Sequence, residues 1–380
     1  MPLTTRIEVT CTGRLARLLA AIVFSAAPVH AATAGEATGP ADCRIAYDMG
    51  SSAIRAGATD SERTARREFD ALGVLWAGKG PAALAPASIS ALRELPNEAK
   101  FDSRCAAVGG GFSAWRLALQ QDAKGLIETL ARIHAESGVA VLVVPADREG
   151  AYGHYAARQL LGRRLTTTHV LDIGGGSLQI AGEKRSFAAP LGQKSWHRLL
   201  CEHLRGTTEV PCQLQPMNER DLTRARALIA VRIADAGLPR ETTLTAISRP
   251  VSRGLLPAVR QLAAPAGEPQ SSLRRRELQA AIAQLAPLDL SATIARTGAA
   301  PSHAAYLFSD LLLVDGLMRL AADGELHIAE ASFSNVPGLL ADDQAYAWYG
   351  RYACYLQRLA DGGIAAFASD PATCPPDQLR

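Results

Sequence analysis

The sequence predicts an α/β protein with mixed sheets, and three observations carry that expectation. Two segments, 139–144 (VAVLVV) and 168–172 (THVLD), read as strands buried on both faces. Helical patterns alternate with them, clearest over 125–136, where Leu126, Ile127, Leu130 and Ile133 share one face. Third, the same design of strand, terminal acid, glycine turn and strand occurs twice, around Asp48 and around Asp172. The 380 residues are 48% apolar and 20% charged, which excludes a disordered chain and allows two domains with separate cores. Forty Lys+Arg against 37 Asp+Glu gives a formal charge of +3, and only 5% of residues are aromatic. Both numbers argue against nucleic acid as a partner.

Taken in order, residues 1–31 read as a signal peptide: Arg6, Arg14 and Arg17 precede an apolar run over 18–29, followed by Val29-His30-Ala31. The run is short for a membrane span, and no later segment is long and apolar enough for one. Residues 32–42 read as a flexible leader. Residues 44–48 and 53–59 are strand patterns around Gly50-Ser51-Ser52. The stretch 61–101 reads as helix and loop, with a helix over 83–94. A strand over 105–108 feeds Gly109-Gly110-Gly111 and a helix from Ser113. After the 139–144 strand, a helix spans 147–161, and 178–182 continues the second glycine turn as a strand. Beyond residue 200 helices are expected over 219–236, 273–285 and 309–322, strands over 243–248 and 325–331, and a loop over 265–272.

Removal of residues 1–31 leaves six cysteines, an even number that favours disulfides in an exported chain. Six thiols allow fifteen pairings. Proximity suggests Cys201–Cys212 and Cys354–Cys374, which leaves Cys43–Cys105. Free buried thiols are the bland alternative. A zinc site is disfavoured, because there is no CxxC and no His at ligand spacing.

The chemistry concentrates in the two glycine turns, Asp48-Met49-Gly50-Ser51-Ser52 and Asp172-Ile173-Gly174-Gly175-Gly176-Ser177. Glycine lets backbone N–H groups approach phosphate oxygens, and serine hydroxyls add donors. The acids repel phosphate, so their place is beside a divalent cation or its water. The pair resembles the facing phosphate loops of the superfamily that joins actin, sugar kinases and heat-shock chaperone ATPases. Segment 143–156 (VVPADREGAYGHYA) is similar to the catalytic-glutamate segment of the exopolyphosphatase and guanosine pentaphosphate phosphohydrolase (Ppx/GppA) family, and 111–119 (GFSAWRLAL) to its arginine-bearing helix. The order of the motifs agrees, and weaker similarity continues through 190–192 and 331–342.

That resemblance implies two ribonuclease H-like, actin-like domains with mixed sheets flanking a cleft: 43–144, 145–342, and a segment 343–380 packing on either. It implies Glu149 as general base and Arg116 as the neutraliser of phosphate charge. Gly50, Ser51, Ser52, Gly174, Gly175, Gly176 and Ser177 would be phosphate contacts, and Asp48 and Asp172 holders of Mg²⁺ or another divalent cation. The implied activity is release of phosphate from polyphosphate or another phosphoanhydride, with a homodimer as a further expectation, while the signal-like residues 1–31, and not the resemblance, lead to a periplasmic or secreted protein. Taken singly, Glu149 reads as an acid favoured at a helix N-terminus, Arg116 as a solvated or ion-paired arginine, and Asp48 as a turn cap.

The sequence departs from the family pattern at Leu178 and Gln179, where a hydroxyl and a carboxylate are usual, at Ser52-Ala53, at 248–253 (SRPVSR) and at His303-Ala304-Ala305. Loss of the carboxylate at Gln179 keeps a non-catalytic phosphate-binding relative as the rival. A dinucleotide-binding reading rests on Gly109-x-Gly111-x-x-Ala114, without the acid that should follow it. A serine-hydrolase reading lacks GxSxG.

Overall fold

The computed structural model describes residues 43–263, 271–329 and 333–377. The expected signal peptide 1–31, the leader 32–42 and most of the loop 265–272 lie outside the described residues, as do the first residues of 331–342 and the last three of the chain.

Two sheets are built on one plan. In the first, β1 (Arg44–Met49), β2 (Ala53–Ala58), β3 (Ser61–Glu68), β4 (Ala106–Gly111) and β5 (Ala140–Val143) lie in the order β3-β2-β1-β4-β5. In the second, β6 (His169–Ile173), β7 (Leu178–Gly182), β8 (Ser186–Ala189), β9 (Leu244–Ala246), β10 (Ser272–Arg274) and β11 (Glu325–Ile328) lie in the order β10-β11-β9-β6-β7-β8. Each sheet opens with an antiparallel meander, β1-β2-β3 or β6-β7-β8, and continues through parallel neighbours of its first strand. The registers coincide: Asp48 faces Arg55, and Asp172 faces Gln179. Each acid thus sits one residue from the end of its strand, beside the hairpin turn.

The helices are α1 (Ala71–Trp76), α2 (Ala85–Ala99), α3 (Ser113–Gln121), α4 (Ala123–Ser137), α5 (Ala146–Leu161), α6 (Gln193–Leu200), α7 (Glu219–Ile233), α8 (Leu256–Leu262), α9 (Arg275–Leu285), α10 (Leu290–Thr297), α11 (Pro301–Leu317), α12 (Val336–Leu340), α13 (Asp343–Ala347) and α14 (Tyr352–Gly362). Helix α4 shows how local sequence sets the bounds. The Asp122 side chain accepts from the Gly125 N–H at its start, and Gly138, with φ of 73°, ends it. One apolar core surrounds the first sheet and takes in Val336, Leu339, Trp348, Tyr352 and Tyr355 from the C-terminal helices. Tyr355 Oη accepts from the Val143 N–H at 2.7 Å, and Tyr352 Oη donates to the Val141 carbonyl at 2.8 Å. A second core lies around β6, β7, β9 and α11.

Three expectations need correction. Residues 61–101 are not all helix and loop, because β3 occupies Ser61–Glu68. Its sequence, SERTARRE, has no apolar alternation because it is an edge strand with mostly exposed side chains. The helix of α11 begins at Pro301 rather than at 309, since Pro is well placed in a first turn. Gly109, Gly110 and Gly111 are the last residues of β4, not a turn. A Cβ on Gly110 would lie 2.9 Å from the Phe112 ring, and one on Gly111 2.8 Å from Trp115. These glycines admit bulky side chains against the strand, which removes the basis of the dinucleotide reading.

The three disulfides are Cys43–Cys105, Cys201–Cys212 and Cys354–Cys374. Cys43–Cys105 closes the longest loop, 62 residues, across the start of β1 and β4. Replacing both cysteines by Ser is expected to lower stability by about 4 kcal/mol through loop-closure entropy. Denaturant melts of wild type and double variant check this. An unchanged midpoint would contradict it. No helix among the described residues is long and apolar enough to cross a membrane.

Candidate functional site

The ends of β1 and β6 turn into the two glycine loops, and these loops meet. A Cβ on Gly175 would lie 3.0 Å from Ser51 Cβ and 3.2 Å from Ser52 Oγ. One on Gly176 would lie 2.9 Å from Ser113 Oγ. Ser51 Oγ and Ser113 Oγ are hydrogen-bonded at 2.5 Å. Only glycine permits the second loop to approach this closely. Beside the contact is a cleft of about 210 Å³, lined by both loops and by Asp48, Glu149 and Asp172.

Glu149 enters from the first turn of α5, which follows β5 directly. Gly150 lets that helix lie on β7, since a Cβ there would sit 3.2 Å from Ala181 Cβ and 3.3 Å from Gln179 Cβ. Glu149 is buried, with 8% of the residue exposed. Its Oε2 accepts from Arg116 Nη2 at 2.7 Å, Gln179 Nε2 at 3.0 Å and Ser177 Oγ at 3.5 Å. Arg116, from α3, also donates to the Val144 carbonyl at 2.9 Å and to Ser177 Oγ at 3.1 Å. Burial raises the Glu149 pKa above the usual carboxylate range, the Arg116 guanidinium opposes that shift, and Asp48 adds to it.

Asp48 is buried, 3.5 Å from Arg55 Nη1, and its Oδ2 accepts from the Asn335 N–H at 3.2 Å. Asp172 is partly exposed to the cleft. Removal from water, followed by repulsion from Glu149 and Asp48, pushes it up to about 7. Asp48, Glu149 and Asp172 all line this cleft, and carboxylate oxygens are the donor type that a hard divalent cation takes. The structure thus brings together all the named loop residues, both acids and Glu149. Arg116 stands behind Glu149, where it also borders a neighbouring cavity with Gly176 and Ser177. The six cysteines of the described residues are paired in disulfides, and none of them lines the cleft.

Sequence reasoning missed an arginine cluster. Arg55, Arg66 and Arg249 line the same cleft. The Arg249 pKa is lowered by burial and then by the charges of Arg55, Arg66 and Arg253, with Glu68 opposing. Next to it the Ser248 hydroxyl is buried with no hydrogen-bond partner among the described residues. Segment 248–253 lacks the glycines that would let its backbone alone hug a phosphate. Its Arg249 side chain instead brings positive charge to the cleft. The available signal was the register Asp48↔Arg55, which turns Arg55 toward its acid.

No protein-family model matches the chain, and no curated protein matches it. Among solved structures it is similar to a Ppx/GppA family member of Aquifex aeolicus, with 16% identity and a TM-score of 0.57, covering 78% of this chain and 96% of that one. It is also similar to an exopolyphosphatase of Cytophaga hutchinsonii, with 18% identity and a TM-score of 0.56, again covering 78% and 96%. An exopolyphosphatase-like protein matches at 14% identity and a TM-score of 0.58, covering 79% and 98%. Identities this low speak to architecture. The repeated β3-β2-β1-β4-β5 plan and these matches together show that the chain has the two-domain, actin-like fold of the Ppx/GppA structures.

Proposed function

We propose that this protein hydrolyses terminal phosphoanhydride bonds, with polyphosphate or a related condensed phosphate as substrate. The observation that carries the reading is Glu149. It is a buried carboxylate on a cleft that both glycine loops line, held by Arg116, Ser177 and Gln179. A carboxylate fixed in this way can orient water and take its proton, the work of a general base. The backbone N–H groups of the loops and the Ser51 and Ser177 hydroxyls supply donors for phosphoryl oxygens. Arg55, Arg66 and Arg249 would hold the phosphates beyond the scissile bond, which favours a polyanion over a simple monoester. Asp48 and Asp172 would hold Mg²⁺ or another divalent cation. When bound, that ion would offset charge on the phosphoryl oxygens.

Gln179 supports a second reading. It contributes an amide where a carboxylate would strengthen cation binding, so a phosphate-binding protein without turnover is the alternative. The three disulfides suit an oxidising compartment, and export belongs to the proposal. A panel of pyrophosphate, tripolyphosphate, long-chain polyphosphate and a phosphate monoester, assayed with and without Mg²⁺, tests it. Orthophosphate released from the condensed phosphates, dependent on the cation and absent for the monoester, is expected. Binding of tripolyphosphate without release would favour the alternative.

A further inference from the structure

Helix α11 buries two carboxylates, Asp310 and Asp315. Asp315 is paired with Arg275 Nε at 2.9 Å. Asp310 has no cation partner among the described residues. Its Oδ2 accepts from Gln193 Nε2 at 2.6 Å, and its Oδ1 has no hydrogen-bond partner among the described residues. A buried carboxylate is costly when ionised and unpaired. Gln193 is no ordinary surface residue. It is the first residue of α6, lines the cleft, and donates its backbone N–H to the Gly174 carbonyl at 2.9 Å. The contact behind it is tight: a Cβ on Gly192 would lie 2.5 Å from the Gly174 oxygen. One end of the Gln193 amide is therefore tethered to Asp310, which leaves the other for the cleft.

We propose that Asp310 is the positioning residue for Gln193 and decides which end of that amide faces an anion held at Gly174 and Gly175, an inference that rests on the phosphate reading of the cleft. A neutral Asp310 donates its O–H to Gln193 Oε1 and turns the NH₂ group toward the anion. An ionised Asp310 accepts from Nε2 and turns the carbonyl oxygen there instead. Burial pushes the Asp310 carboxyl up to about 8, with the Gln193 hydrogen bond opposing. The donor-out arrangement therefore holds below that pH and is lost as pH rises through it.

The surrounding charges are few. On its own helix Tyr306 senses Asp310, with its own pKa pushed up to about 12 by burial, then Asp70 and Asp310. From α6 come Lys194, paired with Asp70 at 3.0 Å, and His197, whose ring is held by Ser309 and the Cys212 carbonyl and lowered by burial to about 4. The π-turn Pro250–Leu255 packed on α11 carries Arg253, α9 sends Arg275 to Asp315, α7 packs Ile229 on Gly316, and α10 buries Thr293 and Thr297.

The test is calorimetric binding of inorganic pyrophosphate to the wild type, Asp310→Asn and Gln193→Leu between pH 6.5 and 9.5. The ligand and Asp172 titrate alike in all three, so the readout is the ratio of dissociation constants. Asp310→Asn puts a neutral group that does not titrate in the place of the carboxyl, so any pH-driven turn of the Gln193 amide is removed. The wild-type Kd divided by that of Asp310→Asn is expected to rise about tenfold across the range, the effect of one hydrogen bond to a charged group. Gln193→Leu should bind more weakly than wild type at pH 6.5 and match it at pH 9.5. A constant ratio, or pH dependence that survives in Gln193→Leu, would overturn the proposal. The Gln193 side-chain NH₂ resonance of the ligand-free protein reads the switch without any anion. It should titrate near pH 8 in the wild type and stay fixed in Asp310→Asn, and a signal static in both would also overturn it. Failure of the hydrolase reading would show differently, as pyrophosphate binding without phosphate release.

Discussion

Glu149→Gln is expected to lower phosphate release by roughly 10²–10⁴-fold, the usual contribution of a positioned general base, while tripolyphosphate affinity stays within a few-fold. Gln has the size of Glu, and its amide oxygen can still accept from Arg116 Nη2, so the helix start and the cleft keep their form. What disappears is the ability to take a proton from water. Phosphate release and calorimetric binding on the same preparation separate the two quantities. Turnover within threefold of wild type would remove Glu149 from the chemistry. Equal loss of binding and turnover would make it a structural residue.

Arg116→Ala is expected to cut turnover at neutral pH by at least 10²-fold and to move the acid limb of the pH–rate profile upward. The Arg116–Glu149 pair is largely buried, with side chains 14% and 10% exposed. Breaking such a pair costs about 3–5 kcal/mol if the remaining charge is kept. The protein avoids most of that by holding a proton on Glu149. The sign follows from the causes of the present shift: burial raises the Glu149 pKa and Arg116 lowers it. Without Arg116 the value rises further, the base is protonated over a wider range, and activity returns only at higher pH. Arg116→Lys should restore the position of the limb more fully than the rate, because an ammonium supplies charge without the planar fork that also reaches the Val144 carbonyl and Ser177. An unshifted limb in Arg116→Ala would show that the pair does not set the base.

The parts of the site legible in the sequence are those made by consecutive residues. Asp48-x-Gly50 and Asp172-x-Gly174 carry their own turn chemistry, and the 139–144 run marks the strand that delivers Glu149. Periodicity could not show β3, whose charged residues face solvent along a sheet edge. Nor could it show Arg66 or Arg249, which reach the cleft from an edge strand and a π-turn 183 positions apart in the chain. Asp310 was hidden for a different reason. Helix α11 is apolar nearly all round, and an acid within such a helix has no periodic signature that separates a buried partner from an exposed one. The α5 segment shows the opposite case. Tyr152 and Arg148 both bind Asp342, so the helix bearing Glu149 is tied to the N-cap of α13 by residues that local sequence gives no reason to pair.

If the proposed reading holds, both glycine loops grip one anion beside a cation held by Asp48 and Asp172. The most direct measurement is a crystal structure of the protein with Mn²⁺ and methylenebisphosphonate, a condensed-phosphate mimic that resists cleavage. The expected result is phosphonate density contacted by Gly50–Ser52 on one side and Gly174–Ser177 on the other, with an anomalous Mn²⁺ peak at ligand distance from Asp48 or Asp172. Density confined to one loop, or a metal peak away from both acids, would contradict the account.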